Sequence, residues 1–342
     1  QAANQAAAGF TNMWVTSSGT AVSADYGMDL RITGPSDNYG GVYRTSITND
    51  LRAIPVVSIV TTISNLFNRY AGIYANPGGV GDNWERSCSF EYFNDPRDTN
   101  GTQVNCGLRI HGEANRSVNN RKHSLRLLFK TAYGDGKLKY PLFEGDPVER
   151  YNTIVLRCMY GDSWMSSSGG TYLRELWAHE TQRALGHVGL YGRLVHVYLN
   201  GLYWGLYTAI ERPDDAFAAD HIAPPRENWD VLAGLITAAE VELKEGSRQA
   251  YNAMMALVPK SPTTTVSDVT YAQLEQYLDM PLFADYMLLQ LYSQNYDWPN
   301  KNWRLIAQRN PANPAGPPLV KFRYFVWDQE STLGFYGQDR TT

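Results

Sequence analysis

The chain has 342 residues, 30 Lys+Arg against 34 Asp+Glu and a formal net charge of −4. That is enough for about two domains, and it lacks the basic excess of a nucleic-acid binder. Apolar residues make up 43% and charged residues 19%, which excludes a disordered chain, and no apolar run approaches the ~18 residues of a membrane span.

Residues 1–8 have neither a basic start nor a long apolar run, so they are not an intact signal peptide. The aromatic, Asn/Gly/Thr-rich and Lys-poor composition points to a secreted or cell-surface protein. Residues 1–50 are rich in Ser, Thr, Gly and Asn and weakly periodic, and read as an extended arm packed on the body. IPVVSIVTTI (54–63) is continuous and β-branched, as a buried strand should be. After the Asn76–Gly81 loop come SCSFEYF (87–93) with VNCGLRIHG (104–112), then KHSLRLLF (122–129), which alternates with period two. The three cysteines, Cys88, Cys106 and Cys158, fit no CxxC metal pattern. One disulfide plus a free thiol is open to them, and Cys88 with Cys106 is the favoured pair because both flank one predicted hairpin.

TIVLRCM (153–159) predicts a further strand before the polar loop 161–170. Residues 171–185 read as a helix capped by Thr171 and closed by Gly186, with Leu173, Leu176, Trp177 and Ala184 on one stripe. Glu180 falls within that stripe, where an unpaired carboxylate is costly to bury, so it should meet a cation: Arg109, Arg157 or Lys122. Glu175 is the competing carboxylate. RLVHVYLNGLYWGLYTAIE (193–211) is a hairpin turning at Asn200-Gly201. A hinge near 211–213 leads to segments 239–257 and 268–292, both helical by pattern. The NYDWPNKNW stretch (295–303) breaks the helix, and strands at 303–308 and 320–328 follow.

The order of these parts carries the chemistry. A strand lysine (Lys122), a helix with acidic residues, a hairpin, helices, an Asp-x4-Asn loop (Asp297 to Asn302) and an Asp at a strand end (Asp328) are the parts phosphoryl transfer needs. The lysine holds α- and β-phosphates, one Asp orients the acceptor hydroxyl, and the Asn and second Asp hold Mg²⁺. Mg²⁺ takes hard oxygen ligands and keeps several waters, so two protein ligands suffice. Each piece alone has a structural reading: Lys122 between Arg121 and His123 as a solvated face, Asp297 and Asn302 as loop caps, Asp328 as a turn cap. HRD, DFG and the Gly-x-Gly-x-x-Gly loop of ordinary protein kinases are absent. His179-Glu180 does not continue into HExxH, because the next histidine is His187.

The stretches RIHG (109–112), RKHSLRLLF (121–129), KLKYPLF (137–143), LRE (173–175), VYLNGLYWGLYTAIERPD (197–214), NYDWPNKNW and VWDQESTLG (326–334) resemble the CotH kinase family of atypical protein kinases. The NPGG…WER stretch (76–86) resembles its long secreted members. The likeness spans about residues 50–334 and implies an α+β, bilobal, kinase-like fold. The expected layout is an arm (1–50), a β-rich small lobe with one helix (51–212) and a helical large lobe (213–342). It implies ATP with Mg²⁺ or Mn²⁺ and transfer to protein Ser/Thr. By position, Lys122 matches the ATP-contacting lysine, Asp297 the catalytic-loop aspartate, Asn302 and Asp328 the metal ligands. Trp327 stands where the family keeps an aromatic, next to the adenine. Arg116, in the loop between the RIHG and RKHS strands, is expected to cover phosphates, and Glu211 to contact adenine or ribose.

The chain ends about fourteen residues after Asp328, short of the helices a kinase large lobe carries. An exposed apolar surface on the second lobe is therefore expected, covered by a second chain or a further C-terminal segment. The alternative from another class is a catalytically silent kinase-fold module used for adhesion or matrix binding, since fold does not fix function. A glycoside hydrolase using Asp297 and Asp328 ranks behind both.

Overall fold

The computed structural model describes residues 5, 9–23, 33–34, 39–95, 101–163, 169–234, 241–261 and 263–335. Part of the expected arm and residues 164–168 of the expected polar loop lie outside these. Helices and sheets are both present, making the fold α+β, and the chain divides into two units: residues 1–160 with 192–210, and residues 161–191 with 211–342. The segment holding the helix expected at 171–185 thus belongs to the second unit, whereas the boundaries expected from sequence grouped it with the strands before it.

Among its described residues the first unit holds a two-stranded hairpin, β1 (Met13–Val15) and β2 (Ala21–Ser23), and a helix α1 (Val42–Asp50). Its body is a closed seven-stranded barrel built from β3 (Val56–Val60), β4 (Arg86–Phe93), β5 (Thr102–His111), β6 (Ser124–Leu128), β9 (Thr153–Arg157), β10 (Gly192–Leu199) and β11 (Leu202–Glu211). A short pair, β7 (Leu138–Lys139) and β8 (Arg150–Tyr151), lies in the β6–β9 connection. Neighbouring strands run antiparallel except for β10 against β3, whose parallel pairing closes the ring. Closure leaves no free edge to pair with another chain. Alternating apolar residues such as Ile59, Phe90, Leu108, Leu125, Leu127, Ile154 and Val197 are almost fully buried. The helix α2 (Ile63–Phe67) follows β3, and an aromatic cluster includes Tyr74 and Trp204, whose indole donates to the Tyr74 hydroxyl at 2.7 Å.

Cys88 and Cys106 stand directly opposite each other on β4 and β5 with sulfurs 3.5 Å apart. Both are buried free thiols, as is Cys158, so the favoured disulfide is not formed in this structure.

The second unit is organised around an antiparallel sheet in the order β13 (Glu242–Glu245), β12 (Trp229–Ala233), β14 (Trp303–Gln308), β15 (Val320–Val326). Segment 239–257, read as one helix, holds strand β13 and then the helix α5 (Gln249–Leu257). Helices α5 and α6 (Asp268–Tyr277) bury Ala250, Met254 and Leu274 against Leu232, Leu305 and Phe322 of the sheet. The long helix α7 (Met280–Tyr292) packs Leu282, Tyr286 and Leu289 against Val326, together with Ala178 of α3 (Arg174–Ala184). A further helix, α4 (Asp215–His221), is capped by Asp214, whose carboxylate accepts the N–H groups of Ala216 and Phe217. The opposite face of α7 is apolar and exposed: Pro281, Ala284, Leu288, Leu291 and Tyr292 recur at helical spacing. No helix among the described residues is long and apolar enough to cross a membrane.

The inward face of α3 is polar, contrary to the apolar stripe expected from sequence. Glu175, Ala178, His179 and Gln182 are buried, while Leu173 is exposed. The reason is the edge of β15. Gln182 donates to the Tyr324 carbonyl at 2.8 Å and accepts from the Val326 N–H at 3.3 Å. Backbone groups at a buried edge need partners, and helix side chains here replace a neighbouring strand.

Candidate functional site

In the second unit the loop after α7 gathers three of the expected residues. Asn295 anchors it by donating to the Gln290 side chain at 2.9 Å and accepting the Asp297 N–H at 3.2 Å. The Asn302 side-chain amide donates to Asp297 Oδ2 at 3.3 Å and to the Asp328 carbonyl at 3.0 Å. Ser331 Oγ donates to Asp297 Oδ2 at 3.4 Å, and Lys301 Nζ lies 3.0 Å from Asp297 Oδ1. The two loops are also stitched through the backbone, Tyr296 N–H to the Ser331 carbonyl at 3.0 Å. Asn302 and Asp328 both have positive φ, 66° and 59°. Asn and Asp tolerate this region better than other side chains, and strained backbone clusters where surrounding structure over-determines a site.

Asp328 is fixed from α3. Glu175, fully buried, accepts the Asp328 N–H at 3.0 Å through Oε1 and the Gln329 N–H through Oε2. His179, one turn on, lies 3.1 Å from Glu175 Oε1. The carboxylate of this helix that acts on the site is therefore Glu175. Glu180, the expected one, is exposed and has no ion pair among the described residues. The stripe expected to bury it is not the inward face, and Arg109 pairs with Glu85 and Asp82.

Three further expectations are corrected by what the side chains touch. The Arg116 guanidinium donates to the carbonyls of Pro77 and Gly79 at 2.8 Å each, to Ile110 at 2.6 Å, and to Gly112. It clamps one loop to another and its donors are not turned to a phosphate; burial lowers its pKa from the usual arginine range. Glu211 is buried, accepts the Tyr191 N–H at 2.9 Å and meets His221 Nε2 at 2.7 Å, so both oxygens are engaged within the second unit. Trp327 is buried, with the Arg304 guanidinium 5.2 Å from its ring centroid, which leaves no open face for a base to stack on.

In the first unit Lys122 lies two residues before β6 rather than on it. Burial holds its amine below the ordinary lysine range, with the Cys158 thiol acting the other way. Within that unit no carboxylate pairs with its ammonium among the described residues. Its backbone is held on several sides. Asn115, oriented with its nitrogen toward the Lys122 carbonyl at 3.0 Å, accepts from Ser124 N at 3.2 Å. Tyr207 on β11 donates to the His123 carbonyl at 3.2 Å. His123 is buried with Nδ1 2.6 Å from the Asn115 carbonyl, and burial drives its pKa down to about 4.

Within the second unit the side chains of the two loops suit a hard divalent cation. Both hydrogens of the Asn302 amide nitrogen are engaged inside the loop, so the amide presents its oxygen as a ligand. An amide oxygen and a carboxylate such as that of Asp328 are both hard oxygen donors of the kind Mg²⁺ selects. In the first unit, taken by itself, Lys122 is a buried amine of the type that can meet an anionic group.

A family model described as CotH kinase protein matches residues 108–342, more than half of the chain, and takes in Lys122, Glu175, Asp297, Asn302 and Asp328. The likeness read from about residue 50 onward is thus matched from Leu108 on. No curated protein matches the chain. On the strength of that match over both the lysine segment and the paired acidic loops, the chain belongs to the CotH kinase family.

Proposed function

We propose that the chain is an atypical protein kinase that passes the γ-phosphoryl group of ATP to a Ser or Thr hydroxyl of a protein outside the cell. The observation that carries this reading is the Asn302 amide, which ties the Asp297 carboxylate and the Asp328 backbone into one constellation. Asp297 is the group that orients the acceptor hydroxyl and takes its proton. Lys301, Asn302 and Ser331 hold its carboxylate in one orientation, and a quarter of its side chain remains open to an incoming acceptor. Asn302 and Asp328 would hold the divalent cation. Lys122 would be the cation that meets the nucleotide's phosphates. When bound, ATP with Mg²⁺ or Mn²⁺ supplies the transferable phosphoryl group and part of the charge neutralisation. The protein's share of the rate gain is positioning and electrostatic stabilisation.

A silent binding module is the second reading. It is favoured by one observation: Arg116, Glu211 and Trp327 are all engaged internally. One experiment separates the two. The protein is titrated with ATP plus Mg²⁺ or Mn²⁺ while thermal unfolding is followed, then checked for autophosphorylation by intact mass. An active kinase is stabilised and gains phosphate, and Asp328→Asn, which keeps a residue tolerant of positive φ, does neither while staying folded. Absence of both effects in the unaltered protein, or equal effects in the variant, overturns the kinase reading.

A further inference from the structure

The Asn-Gly-x-Tyr-Trp-Gly-x-Tyr segment of the β10–β11 hairpin has a job the turn alone does not explain. Asn200 (φ 48°) and Gly201 (φ 79°) make the turn. Asn200 also exchanges hydrogen bonds with the backbone of Thr61 at 2.9 Å in both directions. Beyond the turn the register slips. Tyr198 faces Tyr203, but Val197 faces Gly205, so Trp204 is an extra, bulged residue. Its indole is fixed by Tyr74, and the bulge re-aims the strand at the next position.

That next position is Gly205, at φ 141°, a conformation closed to ordinary L residues. A Cβ built there would lie 2.1 Å from Lys122 Nζ, 3.0 Å from its Cε and 3.7 Å from its Cδ. The end of the lysine therefore occupies the volume that a side chain at 205 would fill. Two residues on, Tyr207 holds the carbonyl of His123, the neighbour of Lys122. One strand thus shapes both the space for the ammonium and the backbone from which it extends.

We propose that Gly205 is the positioning residue for Lys122: the bare backbone beside the Trp204 bulge is the seat on which the ammonium rests, and any side chain there moves the lysine away from the nucleotide phosphates. The second half of this statement rests on reading Lys122 as the phosphate-contacting lysine. The first half is independent of it.

The test is a double-mutant cycle of Gly205→Ala and Lys122→Ala, read by thermal midpoint and by calorimetric affinity for ATP with Mg²⁺. The cycle cancels the backbone strain of alanine at positive φ and leaves the interaction between the two side chains. Gly201→Ala is the control: φ is also positive, and a Cβ there meets nothing within 4 Å.

Gly205→Ala is expected to lower the midpoint by at least about 3 °C more in the unaltered background than in Lys122→Ala. It should weaken ATP binding about tenfold or more, with no further loss in the double variant, whereas Gly201→Ala binds ATP as the unaltered protein does. Equal midpoint losses in both backgrounds overturn the seat, and unchanged ATP affinity in Gly205→Ala overturns its positioning role. If Gly205→Ala fails to fold, recovery in the double variant supports the proposal and failure of both overturns it. An unaltered protein that binds no ATP overturns the nucleotide reading and the positioning role together, while the midpoint coupling still decides on the seat.

Discussion

Glu175 holds Asp328 by its backbone: one carboxylate oxygen accepts the Asp328 N–H at 3.0 Å and the other accepts the N–H of Gln329. Asp328 sits at φ 59°, a conformation that costs an aspartate free energy and persists because its surroundings enforce it. The helix carboxylate thus acts on the acidic loop through the main chain and fixes where the Asp328 side chain begins.

Glu175→Gln replaces one acceptor by an amide donor facing an N–H donor. Leaving a buried donor unsatisfied costs about 1–3 kcal/mol, and the same change should abolish metal-dependent ATP binding. Glu180→Gln, on the exposed side of the same helix, should fall within about 0.5 kcal/mol of the unaltered protein. Urea unfolding of the two variants side by side checks the assignment; equal losses would refute it.

His123 gives the first unit a defined acid sensitivity. Burial lowers its pKa from the ordinary 6.5 to about 4, so the unfolded chain takes up a proton in a range where the folded one does not. The stabilisation is complete above pH 6.5 and is lost as the pH falls toward 4, amounting to about 3 kcal/mol over that window. The difference in unfolding free energy between the unaltered protein and His123→Gln should shrink by about that amount between pH 7 and pH 4. A difference independent of pH would show that His123 is not buried neutral.

All three thiols are buried, and Cys106 is pushed well above the usual thiol range, first by its contact with Cys88 and then by burial. Only the thiolate is nucleophilic, so iodoacetamide at pH 8 should leave the native protein almost unmodified over a time in which the unfolded chain takes up three equivalents. Rapid native labelling of Cys88 or Cys106 would mean that the β4–β5 pairing opens readily in solution.

Much of the local structure is legible in the chain itself. The β-branched run at 54–63 yields β3, the period-two segment at 122–129 yields β6, and Asn200-Gly201 turns the β10–β11 hairpin as its dihedral preference requires. The loops carrying Asp297, Asn302 and Asp328 are legible as loops, because each lies at a break between regular elements that local residue chemistry marks.

Other features were decided by tertiary structure. Spacing i, i+3, i+4, i+7 identifies a helix face but not its partner. Residues 173, 176 and 177 fit the spacing of a buried stripe, yet the inward face of α3 carries Glu175, His179 and Gln182. Polar residues win that position when a strand edge offers unpaired backbone groups, which is known only once β15 is in place. Arg116 and Glu211 carry charges that suit a ligand, yet the folded chain surrounds them with its own carbonyls, N–H groups and a histidine. The seat at Gly205 is likewise invisible in one dimension, since a glycine's missing Cβ acquires meaning from the lysine that fills its place 83 positions earlier in the chain. Periodicity and turn chemistry act between neighbours and can be read from the order of residues; which buried charge meets which backbone group is set by contacts between distant segments, and only the fold creates those.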